Sequence, residues 1–183
     1  REKAGEYMAL LTPVVKGYLT GKGFDMVSNG LQIHGGSGFT EEWGASQLLR
    51  DARITLIYEG TNGIQALDLV GRKLAMNGMR PIMSFFGELD AFVAAGGDEA
   101  MKPYLAAVAD CKAKLEEATN WLVENGLKNF DNAGAASHDY LQLFGLTSLT
   151  YMWALMAKAA SAKIAAGDSD PIYASKLKTG AYF

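Results

Sequence analysis

Apolar residues downstream of Pro103 recur three or four positions apart, and this spacing constrains the fold more than any other feature of the chain. The stripe consists of Leu105, Val108, Cys111, Leu115, Ala118 and Leu122. Such a stripe lies along one face of an α-helix that packs against other helices. No segment alternates with period two for long enough to predict a convincing strand. The β-like run Ile54–Tyr58 is interpreted as an extended link between helices. We therefore predict an all-α protein.

Residues 140–157 carry no charge over 18 positions, which meets the lower bound for a membrane-spanning helix. Four polar residues interrupt the run, and no basic cluster stands on one flank. We therefore predict a helix buried in a bundle core or a subunit interface, and no membrane span.

Composition excludes several classes of function. Of 183 residues, 17 are basic and 20 acidic, for a net charge of −3, so nothing favours nucleic-acid binding. Two histidines and one cysteine are scattered and predict no metal site. A single cysteine, Cys111, excludes an intrachain disulfide and indicates a reducing compartment. We expect the cytoplasm of a bacterium, or the mitochondrial matrix if the source is eukaryotic.

Capping residues and breakers predict helix ends. Thr12-Pro13 and His138-Asp139 are typical of helix starts, and residues 131–138 are predicted to form a loop. Asp98 and Asp170 are predicted to cap the helices that follow them.

One carboxylate, Glu59, stands between Tyr58 and Gly60, immediately before a helix-start signal. Thr61 and Asn62 are both typical N-cap residues, and Asn62 and Gln65 have the spacing of a capping box. The loop is therefore predicted to be held rigidly at a helix N-terminus. Partial desolvation there would make the carboxylate a better base near neutral pH. Nearby, Arg50, Asp51 and Arg53 are expected to form an ion-pair network that orients this loop.

Three motifs occur in order: Gln-Ile-His-Gly-Gly-Ser-Gly-Phe at 32–39, Leu-Leu-Arg-Asp-Ala-Arg-Ile at 48–54, and Ile-Tyr-Glu-Gly-Thr-Asn at 57–62. Together they resemble the C-terminal helical domain of flavin-dependent acyl-CoA dehydrogenases. The continuation from Ile64 to Lys73 resembles the long-chain-type and 3-methylmercaptopropionyl-CoA dehydrogenase subgroup, which carries an additional C-terminal extension.

The resemblance implies an antiparallel helical bundle followed by a helical extension. Residues 1–77 would be the C-terminal part of the helical domain, and residues 78–183 the extension, truncated at its end. Because the chain begins at Arg1 without the family's preceding domains, we expect it to be a fragment that is inactive in isolation.

By the same resemblance, Glu59 is the general base that removes the α-proton of an acyl-CoA thioester while a hydride passes to FAD. Tyr58 and Gly60 would border the substrate. Residues that would contact FAD are Gln32, Ile33, His34, Gly35, Gly36, Thr61, Asn62 and Gly63. Gly63 departs from the family's usual Glu or Gln, so only a backbone contact carries over there.

The resemblance also implies a homo-oligomer, a dimer or tetramer, in which subunits share the flavin site. Electron-transfer flavoprotein would be the electron acceptor. Two alternatives stay open: an acyl-CoA oxidase, which shares the base, and a non-catalytic helical oligomerisation module that retains the motif.

Overall fold

Helices and their short connections account for the whole of the computed structural model, which describes residues 2–126 and 128–183. No strand occurs in these ranges, so the all-α prediction is confirmed. The α-helices of this part of the chain are α1 (Glu2–Val14), α2 (Thr20–Ile33), α3 (Gly36–Phe39), α4 (Ala45–Ile54), α5 (Asn62–Asp68), α6 (Arg80–Ala94), α7 (Lys102–Trp121), α8 (Phe130–Ala165) and α9 (Pro171–Tyr182).

Three π-helical segments extend neighbouring α-helices: Val15–Leu19, Leu69–Lys73 and Leu122–Gly126. The first joins α1 to α2, so one continuous helical rod runs from Glu2 to Ile33. The rod corrects the prediction of a helix start at Thr12-Pro13, because Pro13 lies inside α1. Pro13 is buried with Leu10 and Val14, and their packing offsets the backbone hydrogen bond that proline cannot donate.

The predicted loop at 131–138 is also wrong, because α8 already begins at Phe130. The Asn129 side chain accepts the backbone N–H of Asp131 and caps the helix well before His138. Ala133 packs against Gly126 at the end of the preceding helix, and Ser137 is buried. Tertiary packing thus overrides local loop preferences.

The caps predicted at Asp98 and Asp170 are confirmed, since they accept backbone N–H groups of the helices that follow.

The 36-residue helix α8 forms the centre of the bundle and contacts α1, α5, α7 and α9. Its uncharged stretch buries Tyr140, Leu141, Phe144 and Tyr151. The Phe144 ring lies 5.2 Å from that of Phe85 on α6, measured between centroids. None of the described helices combines the length and the hydrophobicity that a membrane span requires.

The π-helical segment of the rod, Val15–Leu19, crosses over α8. Tyr18 is buried against Gly145, and Gly17 lies against the Leu141 side chain. Each glycine allows a larger side chain of the other helix to approach the backbone. This crossing fixes the π-helical segment relative to the core, and the loop that carries Glu59 packs on the same segment.

Candidate functional site

Residues 55–60 connect α4 to α5 through tight turns rather than the extended link predicted from composition. The N–H groups of Ile57 and Tyr58 donate to the carbonyl of Ile54, at 2.9 and 3.1 Å, and the N–H of Thr55 donates to Ala52. The end of α4 is therefore prolonged by turns. These local hydrogen bonds outweigh the β-preference of the side chains.

Glu59 has the left-handed backbone conformation that side chains rarely adopt, with a φ of 58°. Gly60 follows with a φ of 81°, so two consecutive residues are left-handed. The carbonyl of Glu59 accepts a hydrogen bond of 2.7 Å from Nε2 of Gln65. An unusual conformation at a residue already singled out by its sequence context is typical of a functional site.

Thr61, rather than Asn62, is the N-cap of α5, because its hydroxyl accepts the N–H of Ile64. The capping box predicted for Asn62 and Gln65 is therefore wrong. Asn62 is already the first residue of the helix, and its side chain turns towards the rod. Gln65 reaches back to the carbonyl of Glu59.

Lys16, in the π-helical segment, holds the other side of the loop. Its Nζ donates to the carbonyl of Gly60 at 2.6 Å and to Oδ1 of Asn62 at 2.9 Å. The Thr20 hydroxyl lies 3.2 Å from the same Oδ1. Neither Lys16 nor Thr20 was predicted as a site residue, because nothing local distinguishes Lys16 from a solvated surface lysine.

An open groove of about 860 Å³ runs along the rod and ends against the Glu59 loop. Its walls are mainly apolar side chains of the rod, among them Leu11, Val15 and Leu19, together with Tyr58 and Glu59. Glu59 is exposed and has no ion-pair partner among the described residues. The predicted partial desolvation is therefore wrong for this chain, in which Glu59 is exposed.

The glycine turn lies at the far end of α2 from the Glu59 loop. Gln32 and Ile33 end the helix, His34 follows as its cap, Gly35 has a φ of 61°, and Gly36 begins α3. All five residues are exposed. From Thr20, beside Asn62, to Ile33 the helix rises about 20 Å, so two of the predicted groups are brought to opposite ends of one helix.

The residues predicted next to Glu59 stay together at the start of α5. Tyr58 and Gly60 flank Glu59, and Thr61, Asn62 and Gly63 form the first turn of the helix and its cap. Gly63 is exposed, and no atom of the described residues lies within 4 Å of the position that a Cβ would occupy. The backbone there is open to a ligand.

The predicted ion-pair network around Arg50 does not reach the loop. Arg50 pairs with Glu41 at 3.2 Å, and Asp51 accepts from Gln47. Arg53 lies over the Phe24 ring instead. Only the contact between Gln47 and Asp51 follows from helical spacing, which brings residues four apart together. Arg50 reaches the helical turn Glu41–Trp43, and Arg53 reaches α2. In residues 2–126 and 128–183, no cluster of His, Cys, Asp or Glu could hold a metal ion.

Two protein-family models match separate parts of the chain. The family model described as acyl-CoA dehydrogenase, C-terminal domain, matches residues 1–75. A second, described as acetyl-CoA dehydrogenase C-terminal like, matches residues 85–183.

Two curated relatives align over nearly the whole chain. The 3-methylmercaptopropionyl-CoA dehydrogenase of Ruegeria pomeroyi is 34% identical over 186 residues, covering 100% of this chain and 32% of the relative. The broad-specificity linear acyl-CoA dehydrogenase FadE5 of Mycobacterium tuberculosis is 30% identical, covering 95% and 30%. The chain thus spans about a third of the length of these relatives.

A solved structure shares the fold. Caenorhabditis elegans ACDH-11, crystallised in complex with C11-CoA, superposes with a TM-score of 0.75 over 98% of this chain and 29% of its own. Its sequence identity is 24%, so the likeness supports the helical architecture.

Proposed function

Since the chain belongs to the acyl-CoA dehydrogenase family, we propose that the protein desaturates an acyl-CoA thioester between its α and β carbons, with this chain as its C-terminal part. Glu59 is the general base. The observation that carries the proposal is the position of Glu59: an exposed carboxylate with left-handed backbone, held by Gln65 and Lys16 at the edge of an apolar groove.

The α-proton of a thioester is too weakly acidic for an ordinary carboxylate unless the negative charge that develops on the carbonyl oxygen is stabilised. Glu59 can both remove the proton and stabilise this negative charge. Its carboxylate accepts the α-proton, while its backbone N–H is available to donate to the thioester carbonyl. Gly60 presents no side chain beside this N–H, and Tyr58 supplies an apolar wall. A rigid loop keeps donor and base in register without reorganisation during the reaction.

We propose FAD as the cofactor, held by the glycine turn at Gln32–Gly36 and by the start of α5 at Thr61–Gly63. The exposed turn fits this role, because no atom of the described residues lies within 4 Å of a Cβ built at Gly35 or Gly36, so an anionic group can approach the backbone of the turn closely. When bound, FAD would accept the β-hydrogen as a hydride.

The separation of these two regions supports a flavin site shared between subunits of a homo-oligomer. Exposed apolar side chains surround the glycine turn, including Ile33, Phe39 and Trp43, with Ile33 exposed to 86%. Contiguous exposed apolar residues mark an interaction surface. Electrons would then pass to electron-transfer flavoprotein.

Glu59→Gln is the direct test, because it removes the base and preserves the shape of the side chain. We expect kcat on acyl-CoA substrates to fall by about 10²- to 10⁴-fold while flavin stays bound. The measurement is anaerobic flavin bleaching by a panel of acyl-CoA thioesters, using the full-length protein. Glu42→Gln, at an exposed acid on the same part of the chain, is the matched control. Near-normal turnover in Glu59→Gln would refute the proposal.

A further inference from the structure

We propose that Lys16 is a positioning residue for the general base. Its ammonium group holds the Glu59 loop in the one backbone conformation from which the carboxylate can act. The inference rests on the proposed function and adds a residue from a different helix to the site.

Two neighbouring carbonyls of the loop are held by side chains of two different helices. Gln65 donates to the carbonyl of Glu59 at 2.7 Å, and Lys16 donates to the carbonyl of Gly60 at 2.6 Å. Gln65 belongs to α5, the helix that the loop itself begins, so its hydrogen bond holds the loop to that helix. Lys16 belongs to the rod, and its hydrogen bond spans 44 positions of sequence.

Lys16 also anchors the helix on which the loop ends. A second of its three N–H groups donates to Oδ1 of Asn62 at 2.9 Å. The Thr20 hydroxyl, one helical turn further along the rod, lies 3.2 Å from the same oxygen. The rod therefore fixes both the backbone after Glu59 and the first residue of α5.

The loop needs such a hold because its conformation is unfavourable. Glu59 is left-handed, which side chains avoid, and the loop is exposed to water on its other side. An exposed loop with this backbone relaxes to other conformations unless its surroundings determine it. Any relaxation would move the carboxylate relative to the groove that it shares with Lys16.

Lys16 lies in the π-helical segment of the rod. A π-helical turn accommodates an extra residue and is frequently found at functional sites. Here it contains Lys16, and it is fixed to α8 by the packing of Tyr18 on Gly145 and of Gly17 on Leu141. The ammonium group is thus connected to the centre of the bundle through two tight contacts.

The first experiment compares Lys16→Met with Lys22→Met in the full-length, flavin-loaded enzyme. Lys22 lies on the same rod, over the Tyr18 ring, and makes no hydrogen bond to the loop in the part of the chain that the structure describes. We expect Lys16→Met to lower kcat by about 10- to 100-fold with KM and flavin content little changed, because small misplacement of a catalytic group costs this much. Lys22→Met should keep parental kcat. An unchanged kcat in Lys16→Met would overturn the inference.

Lys16→Gln keeps the variant series informative if Lys16→Met folds poorly. Glutamine retains an N–H donor on a side chain of similar direction but loses the charge. We expect its kcat to lie between those of the parent and Lys16→Met, with melting temperatures measured for all variants. A kcat that tracks melting temperature instead of the donor would indicate a merely structural lysine and overturn the inference.

A double-mutant cycle separates positioning of Glu59 from any independent role. If Lys16 acts through Glu59, adding Lys16→Met to Glu59→Gln should cost less of the residual turnover than Lys16→Met costs in the parent, because only the backbone N–H of residue 59 is then left to be misplaced. Additive losses would overturn the inference and leave the proposed function intact. Full turnover in Glu59→Gln alone would instead overturn the proposed function, and the inference with it.

Discussion

At the scale of single residues, Glu59 combines a functional role with a strained backbone. A left-handed φ costs a residue with a Cβ about 1–2 kcal/mol relative to the right-handed region. The hydrogen bonds from Gln65 and Lys16 to the adjacent carbonyls offset this cost. Sites that hold strain in this way commonly trade stability for activity.

Glu59→Asn should therefore stabilise the fold while it removes the base. Asparagine enters the left-handed region more readily than glutamate, and it keeps a Cβ and a polar side chain. We expect the free energy of unfolding in urea to rise by about 0.5–1 kcal/mol.

Gly60→Ala, at the next residue, is expected to have the opposite effect on stability. It places a Cβ at a φ of 81° and 3.3 Å from Nε2 of Gln65, so it should destabilise the protein. A loss of stability in Glu59→Asn would mean that the loop conformation is not strained.

At the scale of helices, the crossing of the rod over α8 determines where the site is built. Gly145 lies directly beneath the Tyr18 ring, so a Cβ at this position would approach Cδ1 of Tyr18 to 2.6 Å. Tyr18 itself is buried and cannot move into solvent without uncovering the core. The two helices must separate to accommodate even one methyl group.

Gly145→Ala is accordingly expected to destabilise the protein by about 1–3 kcal/mol in urea unfolding, despite the better helix propensity of alanine. Gly134→Ala, on the same helix α8 but with open space around its Cβ position, is the matched control. It should leave stability unchanged or raise it by up to about 1 kcal/mol. Equal effects of the two substitutions would contradict the close crossing.

At the scale of the whole molecule, one hydrogen-bonded cluster joins the two parts that match separate family models. Tyr7 on α1 donates to Oε2 of Glu88 on α6 at 2.8 Å, and Tyr151 on α8 donates to Oε1 of the same carboxylate at 3.2 Å. Burial, followed by the hydrogen bond to Glu88, raises the pKa of Tyr7 above its ordinary value. Burial also raises the pKa of Tyr151, with a further contribution from the Glu88 charge.

These pKa shifts predict a loss of stability at alkaline pH. A tyrosine whose pKa is higher in the folded state stabilises the fold fully below its unfolded pKa of about 10, and the contribution is lost as pH rises towards the folded value. We expect urea midpoints to decline above about pH 10. Tyr140, whose pKa burial raises as well, adds to the effect.

Tyr7→Phe and Tyr151→Phe should each be less stable than the parent at neutral pH, because each loses a hydrogen bond to Glu88. Between pH 9 and pH 11, a window about the ordinary tyrosine pKa, each variant should lose less stability than the parent does. Tyr182→Phe, at an exposed hydroxyl, is the control. Parallel pH dependence in all three variants and the parent would show that ionisation of the cluster does not limit alkaline stability.

The sequence by itself determined the features that depend on residues within a few positions of one another. The helical stripe from Leu105 to Leu122 and the caps at Asp98 and Asp170 are local, and they predicted the all-α class and several helix ends. The adjacency of Tyr58, Glu59 and Gly60 is a property of the chain itself, and together with the motifs at 32–39 and 48–54 it singles out the candidate base.

Tertiary structure alone decided the rest, because the interactions concerned join distant positions. Packing carries the rod through Pro13 and starts α8 at Phe130, against local signals. The hydrogen bond from Lys16 to Gly60 links residues that only the crossing of the rod over the bundle brings together. Local preferences amount to fractions of a kcal/mol per residue, and burial of a packed side chain amounts to about 2 kcal/mol, so packing prevails where the two disagree.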